Sequence, residues 1–114
     1  MRFGKAARLL RRREFLAVQE RGRRLYAREL VILALDTGQD GPRIGITVPG
    51  KVANSVIRNR VKRWVREAFR SGAAAWPPVD LVVVARAGAA GLGLDGVRGA
   101  LAAARERLGP GGRS

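Results

Sequence analysis

This 114-residue sequence contains no cysteine and no histidine. Without cysteine it forms neither a disulfide nor a thiolate metal site, and with histidine absent as well a zinc site of the usual kind cannot be assembled. Histidine is also the commonest supplier of a general acid or base titrating near neutrality. Acidic residues are scarce too, nine in all, and no DxD or ExxE pair brings them together for a hard cation. These absences argue against a catalytic residue or a metal carried by the protein itself. In any reaction it joins, another molecule carries the chemistry. Long apolar runs are missing as well: none approaches the ~20 residues a membrane-spanning helix needs, and the basic N-terminus is not followed by a signal-peptide core. A cytoplasmic protein is expected.

What the chain has in excess is positive charge. Lys and Arg total 23 against the nine acids, a net charge of +14 with a pI near 11.9. Of these bases, 17 lie in two blocks, residues 1–28 and 51–70. Blocks of this kind gain affinity by releasing counterions from a polyphosphate, which makes nucleic acid the leading partner. An anionic membrane surface and acidic proteins are the competing readings. The length fits a single domain, residues 1–114, with one modest core.

Along the chain, residues 9–21 carry apolar positions at Leu9, Phe15, Leu16 and Val18 and include the basic run Arg11, Arg12, Arg13; the pattern predicts a first helix ending at Gly22 in the left-handed region. Leu25 to Leu35 is β-prone and apolar on both faces, a stretch able to break into two strands. Residues 36–42, DTGQDGP, predict a reversal and a hairpin to the next strand, in which Ile44, Ile46 and Val48 point to the core and Arg43, Gly45 and Thr47 away from it. A second helix begins near Val52 or Asn54, with Asn54 as N-cap, and ends at Ser71-Gly72. Trp76-Pro77-Pro78 then forms a stiff connector in which Trp76 packs. The valine-rich segment 79–86 reads as a strand. Asp95 is expected to cap a last helix through Leu108 on a stripe of Leu94, Val97, Leu101 and Leu108, and the Gly-Pro-Gly-Gly tail from about residue 109 reads as disordered.

The second helix, NSVIRNRVKRWVREAFR over residues 54–70, is the most informative segment. At ~100° per residue, Ala53, Ile57, Val61, Trp64 and Ala68 share one face and Asn59, Lys62, Arg63, Arg66 and Arg70 the opposite one. The first face belongs in a core. The second has to meet something anionic, because like charges at i+3 and i+4 otherwise repel by ~0.2–0.5 kcal/mol per pair with only Glu67 to offset them. Arg63, Arg66 and Arg70 are spaced to follow a phosphate backbone, and Asn59, between Arg58 and Arg60, can both donate and accept toward a base or ribose.

Arg58-Asn59-Arg60, Lys62-Arg63 and Arg66-Glu67 resemble the RNR signature of the protein subunit of bacterial ribonuclease P. The similarity extends to RLLRRREFLAVQERGRR (8–24), with a Phe at position 15, and to RIGITV (43–48), so that order and spacing agree over roughly residues 8–86. The resemblance implies an α+β fold, a single-domain α-β-β-β-α-β-α sandwich (ribosomal protein S5 domain 2-like) with a left-handed βαβ crossover. It implies a ribonucleoprotein that removes the 5′ leader from precursor tRNA, in which the catalytic RNA subunit and its Mg²⁺ perform the hydrolysis. By the same resemblance Arg58, Asn59, Arg60, Lys62, Arg63, Arg66 and Arg70 bind that RNA. Phe15, Val31, Thr47 and Lys51 belong to a cleft for the single-stranded leader, and Arg11, Arg12 and Arg13 add basic contacts. An aromatic on the first helix beside a strand face of Gly45 and Thr47 is a reasonable stacking platform, although Phe15 also reads as an ordinary core residue. Gln19 and Leu33 stand where many members carry aromatics, which implies stacking that is weaker or differently placed. A ribosomal or nucleoid architectural protein is the alternative of a different class.

Overall fold

The computed structural model describes residues 11–36, 42–72 and 76–108. The elements follow in the order α1 (Arg12–Arg21), β1 (Arg23–Ala27), β2 (Leu30–Asp36), β3 (Arg43–Thr47), α2 (Ser55–Ser71), β4 (Val79–Ala85), a 3₁₀ turn (Ala89–Gly91) and α3 (Gly93–Leu108). The chain is thus the expected mixed α+β domain. Its apolar 25–35 stretch does divide, at a tight turn in which Arg28 takes the left-handed region with φ of 58°.

The four strands lie in the order β1-β2-β4-β3, with β1–β2 and β2–β4 antiparallel and β3–β4 parallel. The hairpin expected across residues 36–42 does not form, because β4 separates β2 from β3. Burial explains the order. Segments β2 and β4 are apolar on both faces and need cover on both, so they take the centre, whereas β1 and β3 carry polar residues on one face and tolerate the edges.

Alternate residues of the sheet feed two hydrophobic layers. On one face Leu25, Ile32, Ile44, Leu81 and Val83 pack against Val61, Val65 and Phe69 of α2 and Val97, Leu101 and Leu108 of α3. On the other, Val31, Leu33 and Val82 pack against Val18 of α1, with Phe15, Leu35 and Val84 partly buried at the margin. The alternation expected for β3 holds: Ile44, Ile46 and Val48 join the first layer.

Four local expectations need correction. Gly22 is extended (φ −72°, ψ 154°), not left-handed. Glycine is needed there for close approach, since a Cβ would lie 2.4 Å from the Val18 carbonyl oxygen and 3.2 Å from that of Ala34. The buried face of α2 is Val61, Val65, Ala68 and Phe69, with Ile57 and Trp64 partly buried beside it. Ala53 precedes the N-cap, so it cannot share a helical face with them. Asp95 lies inside the first turn of α3, which starts at Gly93. Asn54 does cap α2, its side-chain oxygen accepting from the Ile57 N–H at 3.0 Å, and Trp76 is buried against Phe69 with ring centroids 6.1 Å apart. Leu9, residues 37–41 and the tail from 109 lie outside the described residues.

Candidate nucleic-acid interface

Because Val61, Val65, Ala68 and Phe69 turn α2 toward the sheet, the intervening cations are carried to its outer side. Arg60, Arg63 and Arg66 recur every three residues, are exposed, and make no hydrogen bond or ion pair with any described residue. Neighbours at this interval lie about 5–6 Å apart, so the row offers three guanidinium groups to one anionic track. Asn59 is exposed beside them and Lys62 is half-buried at the flank. Two residues of the expected set are engaged elsewhere. Arg58 is half-buried and its Nη1 donates to the Ala53 carbonyl at 2.8 Å, which fastens the loop leading into α2. Arg70 is paired with the Glu67 carboxylate one turn back.

The opposite face of the sheet is partly covered by α1, and the strip beside the helix, the candidate groove, can be read from the strand register. Paired residues point to the same side, so Tyr26, Val31, Val84 and Thr47 form one row across β1, β2, β4 and β3. Arg24, Leu33, Val82 and Gly45 form the next row, and Leu35, Asp80 and Arg43 the third. Helix α1 covers the second and third rows. At its start Glu14 is tied to Arg43 of β3, and at its end Gly22 leads directly into β1, so the helix crosses the sheet from one edge to the other. Of the first row, Val31 is buried against Val18 of α1, while Val84 and Thr47 remain half-exposed beside the helix and Phe15 is half-buried at its margin. Phe15 and Val31 thus share one hydrophobic layer, and Thr47 stands in register with Val31 across Val84. Lys51 is exposed in the loop between β3 and α2, linking the Thr47 end of the groove to the basic helix. Arg11, Arg12 and Arg13 are exposed at the start of α1.

The wall is held by a charged network. Arg43 donates from Nε and Nη2 to the two Asp80 carboxylate oxygens, each at 2.8 Å, and from Nη1 to Glu14 at 3.0 Å. The other Glu14 oxygen accepts from the Arg11 N–H at 2.7 Å. That backbone bond, helped by the Arg43 charge, holds the Glu14 carboxyl below its ordinary range, while the bond to Asp80 raises Arg43 further. Sequence reading did not find this network, whose members lie on three separate elements, nor Tyr26 and Arg86, which close the β1 end of the groove. The available signal for Tyr26 was its two-residue spacing from Arg24, with buried Leu25 and Ala27 on the alternate positions.

Among the described residues no three His, Cys, Asp or Glu side chains gather to hold a metal ion, and no helix is long and apolar enough to cross a membrane.

Residues 3–109 match the family model described as Ribonuclease P. The chain is 40% identical over 106 residues to the ribonuclease P protein component of Citrifermentans bemidjiense, covering 93% of this chain and 91% of that one. It is 43% identical over 107 residues to the same component of a Geobacter species, with 93% and 91% covered. Among solved structures, the RNase P protein of Staphylococcus aureus superposes with a TM-score of 0.82 at 26% identity, covering 92% of this chain and 97% of that one. The RNase P protein of Thermotoga maritima gives 0.78 at 34% identity, covering 88% and 96%. On a match spanning nearly its whole length, carried by the same fold, this chain belongs to the ribonuclease P protein component family.

Proposed function

We propose that this protein binds the catalytic RNA of ribonuclease P and the single-stranded leader of precursor tRNA, and thereby assists endonucleolytic removal of the 5′ leader. The observation that carries the reading is the unpartnered row Arg60, Arg63, Arg66 on the outer side of a helix whose inner side is core. Three guanidinium groups without carboxylates among the described residues are electrostatically incomplete, and a folded polyphosphate completes them. Asn59 and Lys62 extend this contact. Arg58 acts chiefly by shaping the loop, and Arg70 joins once a phosphate competes with Glu67 for it. Arg11, Arg12 and Arg13 add unspecific attraction near the groove.

The groove supplies the second half of the function. A ring at Phe15 above the aliphatic and hydroxyl floor of Val31, Val84 and Thr47 suits unstacked nucleotides, and Lys51 suits their phosphates. Hydrolysis of the phosphodiester rests on the RNA subunit with its Mg²⁺, a reading supported by a sequence without histidine and, among the described residues, without clustered carboxylates. The protein contributes binding and alignment, and its place of action in this reading is the cytoplasm.

The test is reconstitution. Leader removal by the cognate RNA at low Mg²⁺ should rise when the purified protein is added, with no cleavage by protein alone. An unchanged rate, or equal affinity for duplex DNA, precursor tRNA and the catalytic RNA, would favour a general architectural role instead.

A further inference from the structure

We infer that Tyr26, with Arg86 across its ring, is a second stacking station for the leader, placed on the edge strand β1 at the far end of the groove from Thr47. The inference rests on the leader-binding reading above and extends it to a residue and a strand outside that reading.

The argument starts from an edge strand whose two faces differ sharply. Leu25 and Ala27 are buried in the main core, whereas Arg24 and Tyr26 point to the groove side, and Tyr26 remains 52% exposed. Its ring belongs to neither hydrophobic layer of the sheet. It lies in register with Val31, Val84 and Thr47, three inter-strand spacings or about 14 Å from Thr47 across the sheet. A strand entering beside Phe15 and Thr47 and following this row arrives at Tyr26.

The surroundings of the ring are cationic. The Arg86 guanidinium lies 5.7 Å from the ring centroid. Arg86 follows Val84 by two residues, and its N–H donates to the Glu29 carbonyl at 2.9 Å, so it stands at the open side of the groove, opposite α1. Arg107, from α3 on the other side of the sheet, donates to the Tyr26 backbone carbonyl at 2.8 Å and holds the edge strand in place. Arg24 is exposed two residues before Tyr26 on the same face of β1, whereas Arg28 turns toward Glu29 and Gly96 of α3. An aromatic ring rimmed by arginines is the arrangement that binds unpaired nucleotides through base stacking and phosphate neutralisation together. The floor between the two ends is aliphatic and Phe15 is the one ring within α1. The groove therefore holds one aromatic at each end, and the second has the use of recognising a longer leader.

The experiment uses the protein assembled with its cognate catalytic RNA and a series of precursor tRNAs whose leaders increase one nucleotide at a time. For the native protein, affinity should rise with leader length in two steps. In Tyr26→Ala and Tyr26→Gln the later step should vanish, a loss of at least about five-fold for long leaders, with short leaders and mature tRNA bound as before. Tyr26→Phe should retain it, because the ring and not the hydroxyl does the stacking. A second step that survives in both non-aromatic variants overturns the role of Tyr26 while leaving leader binding at Phe15 intact. Equal loss for every RNA, mature tRNA included, also overturns it, by assigning Tyr26 to the fold. A native protein indifferent to leader length overturns both readings.

Discussion

Arg43 and Asp80 face one another across the parallel pair β3–β4, joined by two hydrogen bonds of 2.8 Å in the fork geometry a guanidinium makes with a carboxylate. Asp80 is 2% exposed, and the Arg43 side chain 17%. The pair matters less for its own attraction than for what each partner would be without the other. A third bond from Arg43 to Glu14 carries the constraint to α1 and so to the wall that bears Phe15.

Arg43→Ala leaves Asp80 buried without its partner, which costs about 3–5 kcal/mol when a buried pair is broken on one side. Denaturant unfolding should show a loss of that order. Asp80→Asn combined with Arg43→Met should recover much of it, since no charge is then stranded. A loss below about 1 kcal/mol for the single change would mean that water reaches Asp80 freely.

Acid titrates the same network through Glu14. The folded protein holds this carboxyl below its ordinary 4.5, so between the two values the unfolded chain binds more protons and stability rises with pH. The contribution is complete above about pH 4.5 and is lost as pH falls through the lower, folded value. Glu14→Gln should therefore lower the thermal midpoint at pH 7 and flatten its fall below pH 4.5. A variant whose acid profile parallels that of the native protein would remove Glu14 from the account.

Phe15→Ala separates a stacking ring from a packing one. Precursor tRNA should lose about 1–3 kcal/mol of affinity while mature tRNA, lacking a leader, changes little. Binding assays on the two RNAs decide the matter, and equal losses for both would return Phe15 to the hydrophobic layer it borders.

Gly22→Ala adds one methyl group at a junction with no room for it, because the Val18 carbonyl would lie 2.4 Å away. The backbone angles of Gly22 suit any residue, so the cost comes from crowding alone, about 1–3 kcal/mol. Chemical denaturation measures it. A neutral result would show that α1 and β1 shift apart without penalty.

The parts legible from sequence were those written in local periodicity. Seventeen residues of α2 repeat the helical pattern long enough to expose its N-cap and its cationic side. Spacing alone predicts the row as Arg63, Arg66 and Arg70, whereas the structure pairs Arg70 with Glu67 and puts Arg60 in the row instead. The detailed core face was less legible, because Val65 and Phe69 flank a tryptophan that draws the apparent axis toward itself. The β1–β2 turn was indistinct because Arg28 occupies a position where glycine or asparagine usually announces the reversal. Strand order was not local at all: it depends on which strands must be covered twice. The Arg43 network, with partners 29 and 37 residues away, and the row ending at Tyr26 arise only once the sheet is assembled.

The central claim is that α2 is core on one side and a phosphate-binding surface on the other. It is tested most directly by the salt dependence of binding between the catalytic RNA and a protein carrying Arg60→Ala and Arg63→Ala. Two lost phosphate contacts should reduce the slope of log affinity against log salt by about 1.4–1.8, with the thermal midpoint unchanged because neither side chain touches the core. A slope equal to that of the native protein, or a collapse of the fold, would contradict the account.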